Sequence, residues 1–96
     1  MKPSVALTLK RDAVREMALR FHTRNPRVFG SVLDGQDREG SDLDLLVDAV
    51  PGTTLFDLGG LQEALEELLG VPVDVLTPEE LPLRFRHKIL AEAQPV

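Results

Sequence analysis

Apolar residues recur along this chain at two different spacings, and the alternation between them predicts its elements. Val14, Met17, Ala18 and Phe21 stand at i, i+3, i+4 and i+7 with Lys10, Arg11, Arg15 and Arg20 interspersed. That is the stripe of an amphipathic helix running from about Thr8 to just before Asn25-Pro26. Arg27 to Phe29 reads as a short strand that stops at Gly30, and the stretch from Ser31 to Ser41, punctuated by glycine and without periodicity, reads as a loop with a helical turn after Gly30. Asp42 to Val47 then alternates: Leu43, Leu45 and Val47 share one strand face, and Asp42, Asp44, Leu46 and Asp48 share the other.

A second helical stripe, Leu58, Leu61, Ala64, Leu65 and Leu68, runs through LFDLGGLQEALEELLG, with Gly59-Gly60 weakening its first turn and Gly70 where a C′ glycine belongs. Val71, Val73 and Val75 alternate with Pro72, Asp74 and Leu76, a third strand whose proline points to an unpaired edge. In TPEE, Thr77 as N-cap, Pro78 at N1 and Glu80 at N3 predict a capping box on a short helical turn. Pro82 separates this from a last helix, about Leu83 to Ala93, expected to bury Phe85, Ile89, Leu90 and Ala93. The order is helix, strand, loop, strand, helix, strand, helix.

Composition narrows the picture. Ninety-six residues hold one hydrophobic core, so residues 1–96 are expected to form a single domain that meets any large substrate on its surface. The net charge of −5 argues against a general affinity for nucleic acid, because the phosphate backbone would be repelled. No cysteine is present, which excludes disulfides and thiolate metal sites. The charges scattered from Lys2 to Arg20 fit neither a signal peptide nor a membrane span, and a cytoplasmic home is expected.

The acidic residues carry the candidate chemistry. Asp42 and Asp44 leave one strand face roughly 6 to 7 Å apart along the chain. Two unpaired carboxylates so placed repel each other, and a hard divalent cation resolves the repulsion. Asp74, an isolated acid in the apolar run VPVDVL, would stand beside them if its strand were adjacent. Upstream, Gly30-Ser31 follows a strand and opens a glycine-punctuated loop, a place where backbone N–H groups and a hydroxyl bind phosphate oxygens. Each piece alone is weak: D-x-D pairs are frequent on exposed faces, and G-S is a common turn dipeptide. His22 and His87 are isolated and read as surface residues. Arg84, Arg86, His87 and Lys88 read first as a solvated face, second as a docking surface or a phosphate contact.

Taken together, Gly30-Ser31, ten intervening residues, Asp42-x-Asp44 and a later lone Asp74 resemble the signature of the DNA polymerase β-like nucleotidyltransferases. The small size resembles the minimal nucleotidyltransferases, antitoxins of HEPN/MNT toxin–antitoxin pairs. The likeness runs from about Thr8 to Val96, through RVFGS, SDLDLLVD, LQEALEELLG, VPVDVLT and KILAEAQPV. It implies an α+β fold, a small mixed β-sheet flanked by helices. It also implies that Asp42 and Asp44 ligate two Mg²⁺ ions, that Asp74 completes the catalytic metal site and helps activate the acceptor hydroxyl, and that Gly30, Ser31 and Ser41 bind ATP. The implied reaction moves AMP from ATP to a tyrosine hydroxyl of a HEPN-type ribonuclease toxin, releasing pyrophosphate.

One departure from the resemblance stands out. Many such proteins read G-S-x-A-R-G in the loop, whereas this chain reads GSVLDG and sets Asp34 where the arginine would be. A carboxylate cannot pair with a triphosphate, so Arg27, Arg38 or a partner residue must supply the charge, or nucleotide binding is weakened. In the latter case the chain would neutralise a toxin by complex formation alone. Transfer to a small hydroxylated molecule such as an aminoglycoside is a more distant alternative, since no extra helical domain is present to hold one. Asp37 and Glu39 are expected to be only a solvated loop.

Overall fold

A computed structural model describes all residues from Met1 to Val96. Its helices are α1 (Pro3–Leu9), α2 (Arg11–Arg20), α3 (Leu55–Leu69) and α4 (Leu83–Glu92), and its strands β1 (Thr23–Phe29), β2 (Leu43–Ala49), β3 (Val73–Leu76) and β4 (Gln94–Pro95). The sheet runs β3-β2-β1-β4, with β1 antiparallel to β2 and β4 and with β2 parallel to β3. This is the mixed α+β sheet expected, and β3 with its preceding Pro72 lies at an edge. No helix is long and apolar enough to cross a membrane.

The amphipathic patterns place the core on one face of the sheet. Leu43, Leu45 and Val47 of β2 are fully buried there beneath Val14 and Ala18 of α2 and Leu61 and Leu65 of α3, with Val73 and Val75 of β3 beside them. Burying a leucine or valine side chain contributes about 1.5–3 kcal/mol, so this layer supplies the main cohesive energy. Gly70 ends α3 with φ +70, and Thr54 opens it by a capping box in which Thr54 Oγ1 accepts from the Asp57 N–H at 3.2 Å and Asp57 accepts from the Thr54 N–H at 2.9 Å. Gly60 has a packing role: a Cβ there would meet Phe21 Cε1 at 2.7 Å, so its absence lets the ring lie against the helix.

Several elements differ from the sequence expectation. The first helix begins at Pro3, with Ala6 and Leu7 in the core, and Lys10, at φ −132, breaks it into two. β1 extends back to Thr23 through a bulge between Arg24 and Arg27, where Asn25 takes φ +54, a conformation asparagine tolerates better than most residues. Two-residue β4 gave no periodic signal; it is held by pairing Pro95 with Arg27 and Gln94 with Val28. The largest correction concerns α4, which buries none of Phe85, Ile89, Leu90 or Ala93 and leaves Leu83, Phe85 and Leu90 exposed. Its apolar spacing is helical, but the core face of the sheet is already covered by α2 and α3. The other face is closed over Leu46, fully buried, where the 3₁₀ turn Pro78–Glu80 packs on β2 and Leu81 follows it inward.

Candidate active site

The site forms where β1 ends beside the start of β2. Phe29 is the register partner of Asp44 on one side, and Asp74 is its partner on the other, so one row across the sheet reads Phe29, Asp44, Asp74. Strands lie about 4.8 Å apart, which brings Asp74 alongside Asp44 as expected. Leu43 N–H donates to the Pro72 carbonyl at 2.8 Å, fixing the register just below the carboxylates. Asp42, immediately before β2, is exposed and Asp44 is half-buried.

Gly30 adopts φ +76, and a Cβ on it would lie 2.3 Å from Asp44 Oδ2. Only glycine accepts both the left-handed backbone and this close approach. The chain then makes one helical turn: Asp34 N–H donates to the Gly30 carbonyl at 3.2 Å and Gln36 N–H to the Ser31 carbonyl at 2.8 Å. The N–H groups of Ser31, Val32 and Leu33 have no backbone acceptor, while Val32 and Leu33 pack on the core and anchor the turn. Three unsatisfied donors beside a carboxylate cluster are suited to phosphate oxygens. Ser41 lies next to the pair, and its hydroxyl oxygen accepts from the Arg38 N–H at 2.8 Å.

Asp44 feels the charge of both other carboxylates. Asp44 is pushed up to about 6, first by burial, then by the charges of Asp74 and Asp42. None of the three forms an ion pair with a lysine, arginine or histidine. No three acidic or histidine side chains stand close enough to one another to cage an ion. Their donor set is all oxygen and all anionic, which fits hard divalent cations such as Mg²⁺ and not softer metals.

The loop between the turn and β2 holds a second correction. Asp37, expected to be solvated, is buried, and its Oδ2 accepts the Ser4 N–H at 2.8 Å, capping the open N-terminus of α1 from 33 residues away. That hydrogen bond holds its carboxyl below the usual range. Glu39 is exposed but pairs with the Met1 ammonium at 2.6 Å. No local pattern carries these contacts, because α1 itself lacks an acidic or hydroxyl N-cap and the cap comes from a distant segment.

The structure also limits which cation can serve the turn. Arg27 is committed to Asp48 at 2.5 Å and to the Asn25 carbonyl at 3.1 Å. A cavity of about 310 Å³ opens between Phe29, Gly30, Leu33 and Asp34 and the α4 residues Phe85, Lys88, Ile89 and Glu92. Those four α4 positions follow i, i+3, i+4, i+7, so one mixed face of the helix, apolar through Phe85 and Ile89 and charged through Lys88 and Glu92, borders this cavity instead of entering the core. The sequence carried the spacing but not the hollow behind it.

The Gly30-Ser31 turn therefore stands against Asp44, with Asp74 in register on the neighbouring parallel strand. The sequence profile of the nucleotidyltransferase domain matches residues 10–96, and the chain belongs to that family. It is 37% identical over 78 residues to the protein adenylyltransferase MntA of Thermococcus cleftensis, covering 81% of this chain and 79% of the relative. A solved minimal nucleotidyltransferase superposes with a TM-score of 0.86 at 45% identity, over 97% of this chain and 95% of the other. A toxin–antitoxin structure with AMP-PNP shares the fold at a TM-score of 0.74 and 16% identity, over 88% of this chain and 69% of that one.

Proposed function

We propose that residues 1–96 form a single minimal nucleotidyltransferase domain that acts as an antitoxin, transferring AMP from ATP to a tyrosine hydroxyl of a HEPN-type ribonuclease toxin. The observation that carries this reading is the close approach of the Gly30 turn to Asp44, with Asp74 in register across the strand pair. A triphosphate laid on the free N–H groups of the turn would have its α-phosphorus directed at the carboxylates. Asp42, Asp44 and Asp74 would hold two Mg²⁺ ions, which neutralise the triphosphate and the charge that develops as an acceptor oxygen attacks phosphorus.

The chain's own part is positioning. Gly30 lets the turn approach Asp44, Ser31 offers a hydroxyl and an N–H to phosphate, and Ser41 shapes the loop that leads into Asp42. The acceptor hydroxyl would form its bond to the α-phosphorus as the bond to the bridging oxygen breaks, pyrophosphate departs, and the hydroxyl proton passes to Asp74. The relatives named as protein adenylyltransferases support a protein acceptor.

Incubation with toxin, ATP and Mg²⁺ is expected to add AMP units to a toxin tyrosine, read by mass spectrometry. If Asp42→Asn with Asp44→Asn leaves that gain intact, the catalytic assignment is wrong. A second reading, neutralisation by complex formation alone, is favoured by Asp34 on the wall beside Gly30. It predicts that the same double variant still neutralises the toxin in cells at normal expression.

A further inference from the structure

The Gly30 turn has donors for phosphate but no positive charge of its own, because Asp34 occupies it. A triphosphate bound with two divalent cations still leaves its outer phosphates anionic, and the nearby acids add repulsion. Arg27 is taken by Asp48, and Arg38 does not border the cavity beside the turn. Lys88 is the one basic side chain on that cavity's wall, facing Gly30 and Asp34 from α4. Although Asp34 and Glu92 line the same cavity, Lys88 forms no ion pair with either. Its ammonium is therefore free for an incoming anion.

We propose that Lys88 supplies the positive charge for the outer phosphates of ATP that the Gly30 turn lacks, reaching them across the cavity from α4. The assignment rests on the nucleotidyltransferase reading and deepens it. It makes Lys88 a substrate-binding residue and not part of a solvated basic face, and it gives α4 a reason to stand off from the core. Asp34 opposes the same phosphates from the turn, so affinity is set by two opposed charges on one cavity.

The test is ATP affinity of the full chain, measured by calorimetry with Mg²⁺ and again in EDTA, for Lys88→Met, Lys88→Arg and the control Arg84→Met. Arg84 lies on the same helix but not on the cavity wall, and stacks on Phe85 with its guanidinium 5.4 Å from the ring centre. A charge-assisted hydrogen bond is worth enough to make Lys88→Met weaken ATP about tenfold in both media. Lys88→Arg restores most of the loss, Arg84→Met changes little, and AMP binding is unaffected by any of them. In transfer assays the loss appears in KM for ATP more than in kcat.

Unchanged ATP affinity in Lys88→Met, or equal losses in Lys88→Met and Arg84→Met, would overturn the inference while leaving the nucleotidyltransferase reading intact. Failure of the wild-type chain to bind ATP even with Mg²⁺ would sink that reading instead. Asp34→Asn supplies an independent arm: it removes a negative charge from the same cavity wall and should tighten ATP, and an unchanged or weakened ATP affinity would overturn the view that the two charges act in opposition on one ligand.

Discussion

Replacing Asp44 with asparagine is expected to stabilise the metal-free protein at neutral pH while abolishing transfer. The carboxyl of Asp44 is pushed from an ordinary 3.8 up to about 6 by burial and by Asp74 and Asp42. Between those two values the folded protein retains a proton that the unfolded chain has released. Stability from this group therefore falls as pH rises through the window and the deficit is complete above it. For a fully enclosed group the shift would correspond to about 3 kcal/mol. Asp44 is only half-buried, and screening by water reduces the figure to about 1–2 kcal/mol.

Asparagine keeps the shape and removes the charge. In EDTA at about pH 8, Asp44→Asn should melt about 5–10 °C above wild type, given the steep dependence of Tm on stability in a domain this small. At about pH 5 wild-type Asp44 is mostly protonated, and the gap should close. Titrating groups away from this cluster are common to both proteins and cancel in the difference. Millimolar Mg²⁺ should raise the Tm of wild type and leave the variant unmoved, because only a ligand that binds the folded state stabilises it. A melting difference that is the same at both pH values, or a variant less stable at pH 8, would refute the view that Asp44 carries uncompensated charge.

Gly30→Ala should cost transfer activity severely while leaving a folded chain, since the new Cβ must displace the Asp44 carboxylate from 2.3 Å and the backbone sits at φ +76; normal turnover would show that the turn and Asp44 do not work as a unit. Gly59→Ala and Gly60→Ala should differ although both lie inside α3: the first meets nothing within 4 Å and should stabilise by about 0.5–1 kcal/mol. The second gains the same helix propensity but pushes on Phe21, so its denaturation midpoint should fall below that of Gly59→Ala. Asp37→Ala should lower Tm and speed amide exchange at Ser4. Because the Asp37 pKa is lowered, its contribution is present above the ordinary carboxylate value and is lost as pH falls through the lowered one. An unchanged exchange rate at Ser4 would show that this cap is not formed in solution.

The elements that were legible in the sequence are those whose signal is local. The stripe from Leu58 to Leu68 with Gly70 behind it marks α3, the alternation from Asp42 to Val47 marks β2, and the capping box at Thr77 marks the short turn before Leu81. In each case periodicity or a cap is contained within a few residues. β1 was half seen, because Pro26 and a bulge interrupt its alternation, and β4 was not seen, because two residues have no period. The burial expected for α4 misread a real helical pattern: amphipathic spacing names a face but not what that face meets.

Sequence alone offered Gly30, Ser31, Asp42, Asp44 and Asp74 as residues whose types and spacing resemble the family signature, since chain order preserves that spacing. It also exposed the anomaly of Asp34. Tertiary structure decided the relations between distant segments: the parallel register that sets Asp74 beside Asp44, the contact that makes Gly30 irreplaceable, and the reach of Asp37 back to Ser4. It also placed Lys88 across a cavity from the turn that lacks a charge. Strand order and helix placement follow from how the whole chain buries its apolar faces at once, and no window of sequence contains that sum.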